Sequence, residues 1–151
     1  MNSQELLDHT EIRALITAYN VAGDRGRVEE LGAVFAEDGV LLTTSSGAGR
    51  LESTGPRAIA ERLGAARVGG TGPDRPLEFV RHHQTTCQIT LDGADEARGR
   101  TYFIVFSEIG LDHSGLYIDR FRKVDGAWKI AHREVRIDWV AENGHTRATR
   151  R

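Results

Sequence analysis

Phe79-Val80-Arg81-His82-His83-Gln84-Thr85-Thr86-Cys87-Gln88-Ile89-Thr90-Leu91 is the stretch around which the rest of the chain can be arranged. Glycines and prolines precede it and the turn pair Asp92-Gly93 follows, so the run between reads as one long strand. Its apolar residues stand at the ends, whereas its centre holds two histidines, a glutamine and two threonines. That pattern fits a pocket wall, where an imidazole titrates near neutrality and can move a proton. It fits equally the solvent-facing centre of a half-buried strand. Strict alternation puts His83, not His82, on the face of Phe79, Cys87, Ile89 and Leu91. A bulge in the polar centre would bring His82 round to that face.

Three further strands follow at hairpin spacing. Arg98 to Ser107 contains the apolar run Thr101 to Phe106, which predicts burial on both faces. Leu116 to Val124 sets Tyr117, Asp119 and Phe121 against Leu116, Ile118 and Arg120, and Asp125-Gly126 turns the chain into a last strand, Trp128 to Trp139. His113 falls in a polar loop before Leu116 and is expected in solvent. Trp128 and Trp139 read as core or interface aromatics.

Helices come first in the chain. Ile12, Leu15, Ile16 and Tyr19 make one apolar stripe, predicting a helix from about Ser3 to Asn20 that stops near Ala22-Gly23-Asp24-Arg25-Gly26. A second helix is expected over Val28 to Ala36. Asp38-Gly39 then breaks the chain, and Val40 to Thr44 forms a first strand hairpinned to a short one around Arg50-Leu51-Glu52. Pro56 opens a third helix that turns Ile59, Leu63 and Ala66 inward. Val68 to Pro76 reads as a mobile loop. Helices gathered first and strands gathered last predict an α+β domain, a curved mixed or antiparallel sheet wrapped around helices into a cone with an internal pocket.

The composition narrows the function classes. A chain of 151 residues with no Pro-, Gly- or Ser-rich linker is one domain, taken as residues 1–141 with a polar tail over 142–151. The net charge of −2 and the lack of a basic block give no footing for nucleic acid or an anionic membrane. No apolar run approaches the roughly 20 residues that span a bilayer. Cys87 is the single cysteine, so neither a disulfide framework nor a cysteine zinc motif is expected, and a cytoplasmic location fits. No metal, nucleotide or other cofactor motif stands out.

Tyr19-x4-Asp24, the Arg81-His82 pair opening the long strand, and Tyr117-x-Asp119 leading through Asp125-Gly126-x-Trp128-x-Ile130 together resemble the nuclear transport factor 2-like superfamily. The resemblance, over roughly Leu6 to Trp139, is to its SnoaL-like branch of polyketide cyclases, scytalone and bile acid dehydratases and dehydrochlorinases. It implies a cystatin-like roll and a cofactor-independent lyase, isomerase or cyclase acting on a largely apolar, oxygenated small molecule. It also implies a homodimer or homotrimer. By the same resemblance, Asp24 orients His82 as the general base, and Tyr19 and Tyr117 lie beside the substrate. The dehydrochlorinases point to Arg133 as a further pocket residue. The bile acid dehydratases point to Arg136, and a regular strand cannot aim both inward.

Thr43 and Thr44 depart from the family, standing where the dehydratases offer a phenol. Other readings remain open at this stage. Asp24 suits a cap of the second helix, Tyr19 suits a buried core phenol, and Asp119 and Arg120 suit cross-strand ion partners. The fold also carries non-catalytic ligand-binding or assembly subunits and epoxide hydrolases. The latter's Asp–Arg–Asp set could be sought only in Arg136-Ile137-Asp138.

Overall fold

The computed structural model describes residues 1–45, 49–69 and 79–145. Three helices, α1 (Ser3–Arg25), α2 (Val28–Ala33) and α3 (Pro56–Gly69), pack against six strands. The strands are β1 (Phe35–Ser45), β2 (Gly49–Thr54), β3 (Val80–Leu91), β4 (Glu96–Ser107), β5 (Gly110–Val124) and β6 (Ala127–Val140), in sheet order β2-β1-β6-β5-β4-β3. All neighbours are antiparallel except β1 and β6, which run parallel, so the sheet is mixed. The α+β class read from the sequence is the observed one.

α1 begins at a capping box, in which Asn2 Oδ1 accepts from the Glu5 N–H and the Glu5 carboxylate accepts from the Asn2 N–H. It buries Ile12 and Ile16 completely against Phe103, Val105, Tyr117, Phe121 and Ile130. Each fully buried isoleucine contributes about 1.5–3 kcal/mol. Three contacts clasp α1 to β3. Arg13 Nη2 donates to the Cys87 carbonyl, Gln84 Nε2 donates to the Ile16 carbonyl, and the Asp24 carboxylate accepts from His82.

The structure corrects several boundaries. α1 runs to Arg25 because Gly26, not Gly23, takes the left-handed conformation (φ 69°), with Gly26 N–H bonded to Gly23 O and Arg27 N–H to Ala22 O. Gly23 stays helical, and its bare Cα faces Leu31 Cδ1 of α2. α2 ends at Ala33, since Phe35 already pairs with Ile130 at the start of β1, and a register shift takes up Asp38-Gly39. β5 begins at Gly110, six positions before the expected Leu116, because pairing with β4 continues through His113 to a bulge at Asp112.

β4 is not buried on both faces: Thr101, Phe103 and Val105 are buried, while Tyr102 and Phe106 are exposed on the outer face. Trp128 is a core residue whose Nε1 donates to Asp8, whereas Trp139 is exposed. The expected loop over Val68 to Pro76 and the inward turn of Ala66 lie, for the most part, outside the described residues. No helix among the described residues is long and apolar enough to cross a membrane.

Candidate active site

β3 carries the bulge that strict alternation lacks. Its pairing with β4 runs Gln84 to Phe103 and then Cys87 to Thr101, so Thr85 and Thr86 face the single residue Tyr102. Parity therefore inverts in the polar centre. Val80, His82 and Gln84 point inward on one side of the bulge, Cys87, Ile89 and Leu91 on the other, and Phe79, Arg81 and His83 point out. His83 packs its ring on exposed Phe106 instead.

Inside the cone, His82 Nδ1 lies 2.6 Å from Asp24 Oδ1, and Asp24 Oδ2 accepts the His82 backbone N–H at 3.1 Å. A carboxylate only accepts here, so Nδ1 carries a proton, and in the neutral ring Nε2 holds the lone pair. Asp24 sits in the last turn of α1 and does not cap α2, whose cap position is Arg27 with no side-chain bond. The His82 side chain is 23 % exposed, within reach of a ligand.

A second imidazole shares this face. His113, expected in solvent, is 12 % exposed and pairs in register with Val105, the residue also paired with His82. The two rings lie 6.4 Å apart, and Phe103 touches both. His113 Nδ1 donates to Asp112 Oδ1 at 2.8 Å, and Ser107 Oγ and the His145 N–H donate to Asp112 Oδ2. Burial alone would raise the Asp112 carboxyl, but the bonds from His113, His145 and Ser107 hold it well below the usual carboxylate range. The first residues of the tail, through His145, are thus bonded to the domain rather than frayed.

β6 resolves the two arginines. Arg133 is 0 % exposed, with Nε and Nη2 donating to the two oxygens of Asp119 at 2.8 and 2.7 Å. Burial disfavours its charge, yet Asp119 holds its pKa above the ordinary value. Its guanidinium lies between two phenol rings, 4.3 Å from the Tyr19 centroid and 4.2 Å from that of Tyr117. Arg136 has the opposite parity, is 45 % exposed and bonds Glu134. Asp138 is exposed as well, so Arg136-Ile137-Asp138 builds nothing inside the cone. Asp119 is a cross-strand ion partner as read from the sequence, but of Arg133 and fully buried; Arg120 is exposed.

Tyr117 stacks on Phe103 at 4.6 Å and donates its hydroxyl to Asn20 Oδ1 at 2.9 Å. Burial pushes the Tyr19 phenol above its ordinary pKa, with the Arg133 charge pulling the other way, and pushes Tyr117 further up, so both stay protonated donors near neutrality. Asn20, His113 and Arg62 are inner residues that sequence reasoning missed. Arg62 had a signal: it stands three residues after Ile59 and beside Leu63, within the apolar stripe of α3.

Two open grooves lie elsewhere. One of about 840 Å³ runs between α2, α3 and β1 past Val28, Phe35, Ala60 and Lys129, and one of about 520 Å³ lies over Arg98, Arg100, Arg120 and His132. Asp24 and His82 line neither. Among the described residues no group of three His, Cys, Asp or Glu side chains could hold a metal ion.

A family model described as a SnoaL-like domain matches residues 4–134. A proposed scytalone dehydratase from Novosphingobium aromaticivorans is 26 % identical, with 97 % of this chain and 94 % of that chain covered at a TM-score of 0.78. The hexachlorocyclohexane dehydrochlorinase LinA-type3 from Novosphingobium barchaimii is 17 % identical over 91 % of each chain, at 0.73. The beta subunit of a proposed aromatic-ring-hydroxylating dioxygenase from N. aromaticivorans is 19 % identical over 91 % and 93 %, also at 0.73. The last two likenesses show the fold alone.

Proposed function

Because the chain belongs to the SnoaL-like domain family of the nuclear transport factor 2-like superfamily, we propose that it is a small-molecule lyase, isomerase or cyclase in which His82, oriented by Asp24, is the general base. The observation that carries this reading is the double hold of Asp24 on His82, at the ring Nδ1 and at the backbone N–H. Fixing Nδ1 as a donor leaves Nε2 as the proton acceptor, and the imidazolium formed is neutralised by the carboxylate already in contact with it.

In an elimination, Nε2 takes a proton from carbon next to a carbonyl. The C–H electron pair moves toward the carbonyl oxygen, and its return expels the β-substituent as the new C=C bond forms. A hydroxide leaving group takes the proton back from His82 and departs as water. Returned to a different carbon instead, that proton gives isomerisation. The Tyr19 hydroxyl and the Arg133 guanidinium supply positive potential for the oxyanion in either case. The Phe103 ring beside His82 offers apolar surface for the substrate, and no step needs a group beyond the chain's own residues.

The test is turnover of β-hydroxy and β-halo carbonyl compounds, followed as release of water or halide, with and without a chelator. Chelator-insensitive turnover that His82→Ala abolishes is the expected result. Turnover lost on chelation and restored by one metal would overturn this mechanism.

The exposed Tyr102, Phe106 and Trp139 on the outer face favour burial against a second copy, as a dimer or trimer. A concentration-independent monomer in sedimentation velocity would remove this part of the reading. The assembly-subunit reading has a fold likeness behind it, but it leaves the Asp24–His82 pair without a task.

A further inference from the structure

Arg62 is the side chain that proton transfer to His82 leaves unexplained. It reaches inward from α3, where Nη2 donates to Thr43 Oγ1 at 3.2 Å. Thr43 lies two residues beyond fully buried Leu41, which pairs with Arg133, so both threonine and arginine belong to the inner wall. Arg62 Nη1 is buried and has no hydrogen-bond partner. Among the described residues no carboxylate pairs with it, and the only other group that acts on its charge is the Tyr19 phenol.

Arg133, across Tyr19, repeats the pattern. With Nε and Nη2 committed to Asp119, its Nη1 is also buried without a partner. Its charge is balanced by Asp119; among the described residues that of Arg62 is balanced by no carboxylate. A partly buried guanidinium with a buried, unpartnered N–H group and no carboxylate beside it among the described residues is costly. Native proteins rarely keep such a group unless something absent from the protein itself completes it.

We infer that Arg62 and Arg133 Nη1, with the Tyr19 hydroxyl between them, form the seat of a carboxylate on the substrate, Arg62 supplying the counter-charge. The inference rests on the proposed reaction for its location and deepens it by naming the substrate class, small apolar carboxylic acids. A planar guanidinium presents paired N–H donors that match a carboxylate, and charge-assisted bonds of this kind are about twice as strong as neutral ones. A neutral amide of the same shape offers one acceptor and puts N–H groups against N–H groups.

Titration calorimetry with trans-cinnamate and its amide at neutral pH tests this without requiring turnover. The acid should bind about tenfold or more tightly than the amide. Arg62→Gln should erase that preference and Arg62→Lys should keep part of it. In the ligand-free protein, Arg62→Gln should hold or raise the melting temperature, because it removes a partly buried charge that no described carboxylate balances; a purely structural Arg62 would lower it. Equal affinities for acid and amide, no binding of the acid, or a preference that survives Arg62→Gln would each overturn the carboxylate seat. His82→Ala should keep the preference for the acid while losing turnover, so failure of the base and failure of the seat give different results.

Discussion

Two Asp–His pairs face each other in the cone, alike at the contact and different in what surrounds it. In both, a carboxylate oxygen accepts from an imidazole Nδ1, at 2.6 Å for Asp24–His82 and 2.8 Å for Asp112–His113. Asp24 arrives from the end of a helix and holds the ring and the backbone N–H of a residue 58 positions away. Asp112 is the sequence neighbour of its histidine and also gathers Ser107 and the backbone of His145. The first carboxylate places an imidazole, while the second ties the His145 backbone to β5 and orients an imidazole as a by-product. Under the proposed mechanism the same chemical pair serves turnover in one place and stability in the other, and mutation should separate the two.

The largest expected effect is on the first pair. His82→Ala should lower turnover about 10²–10⁴-fold, as for loss of a general base, with little change in melting temperature. Asp24→Asn should fall in the same range, since an amide can hold the ring in the wrong tautomer. The double variant should lose little more than either single one, because groups acting as a unit are not additive. Kinetics and thermal melts on the three proteins check this. Turnover surviving His82→Ala but lost in His113→Ala would reverse the assignment of the two pairs.

Asp112 should show the opposite signature. Asp112→Ala strands three donors, those of His113, Ser107 and the His145 N–H, and should cost about 3 kcal/mol of stability. Asp112→Asn gives a pH test. A carboxylate whose folded pKa is depressed stabilises the fold above its unfolded value of about 3.9, and that contribution is lost as pH falls toward the folded value. Wild-type stability should thus drop below roughly pH 4 more steeply than that of Asp112→Asn, as read from urea midpoints across pH. Parallel profiles would mean that Asp112 contributes no linked proton.

Legibility from the sequence followed the range of the forces involved. The helix stripe, the turn pairs and the strand alternation are local, and they gave the α+β class and nearly every element. Both Gly23 and Gly26 suit a left-handed turn by residue type; Gly26 takes it, while helical Gly23 lets Leu31 of α2 approach closely. The start of β5 was hidden because Asp112-His113-Ser114 is polar between glycines, and only pairing with β4 makes it strand. Asp24 and His82 are legible through a family resemblance, not through spacing; strict alternation puts His83, not His82, on the inner face. Arg133 and Arg136 could be separated in principle by parity, but only burial beside Asp119 says which parity faces in.

The smallest expected effect bears on the histidine beside the base. His83 shares its neighbour's chemistry, yet the bulge at Thr85-Thr86 turns it to the outer face, where its ring lies 5.3 Å from Phe106. A ring contact of that kind on a largely exposed surface is worth a fraction of a kcal/mol, and substitutions at such positions usually stay within about 0.5 kcal/mol. His83→Ala should leave turnover unchanged and shift the melting temperature by only a degree or two, roughly as expected of a surface change in a domain of this size. Deleting Thr85 sharpens the point. It removes the extra residue, so that Gln84 in, Thr86 out and Cys87 in alternate regularly, His82 and Ile89 both stay inward, and turnover should be kept. Deleting Thr86 as well puts the two flanking segments out of phase, so one of them must turn over. If the segment after it keeps its hold on the core through Ile89, His82 rotates outward, away from Asp24, and turnover should be lost while sheet content by circular dichroism is retained. Full activity after the double deletion would mean that turnover does not depend on His82 meeting the carboxylate.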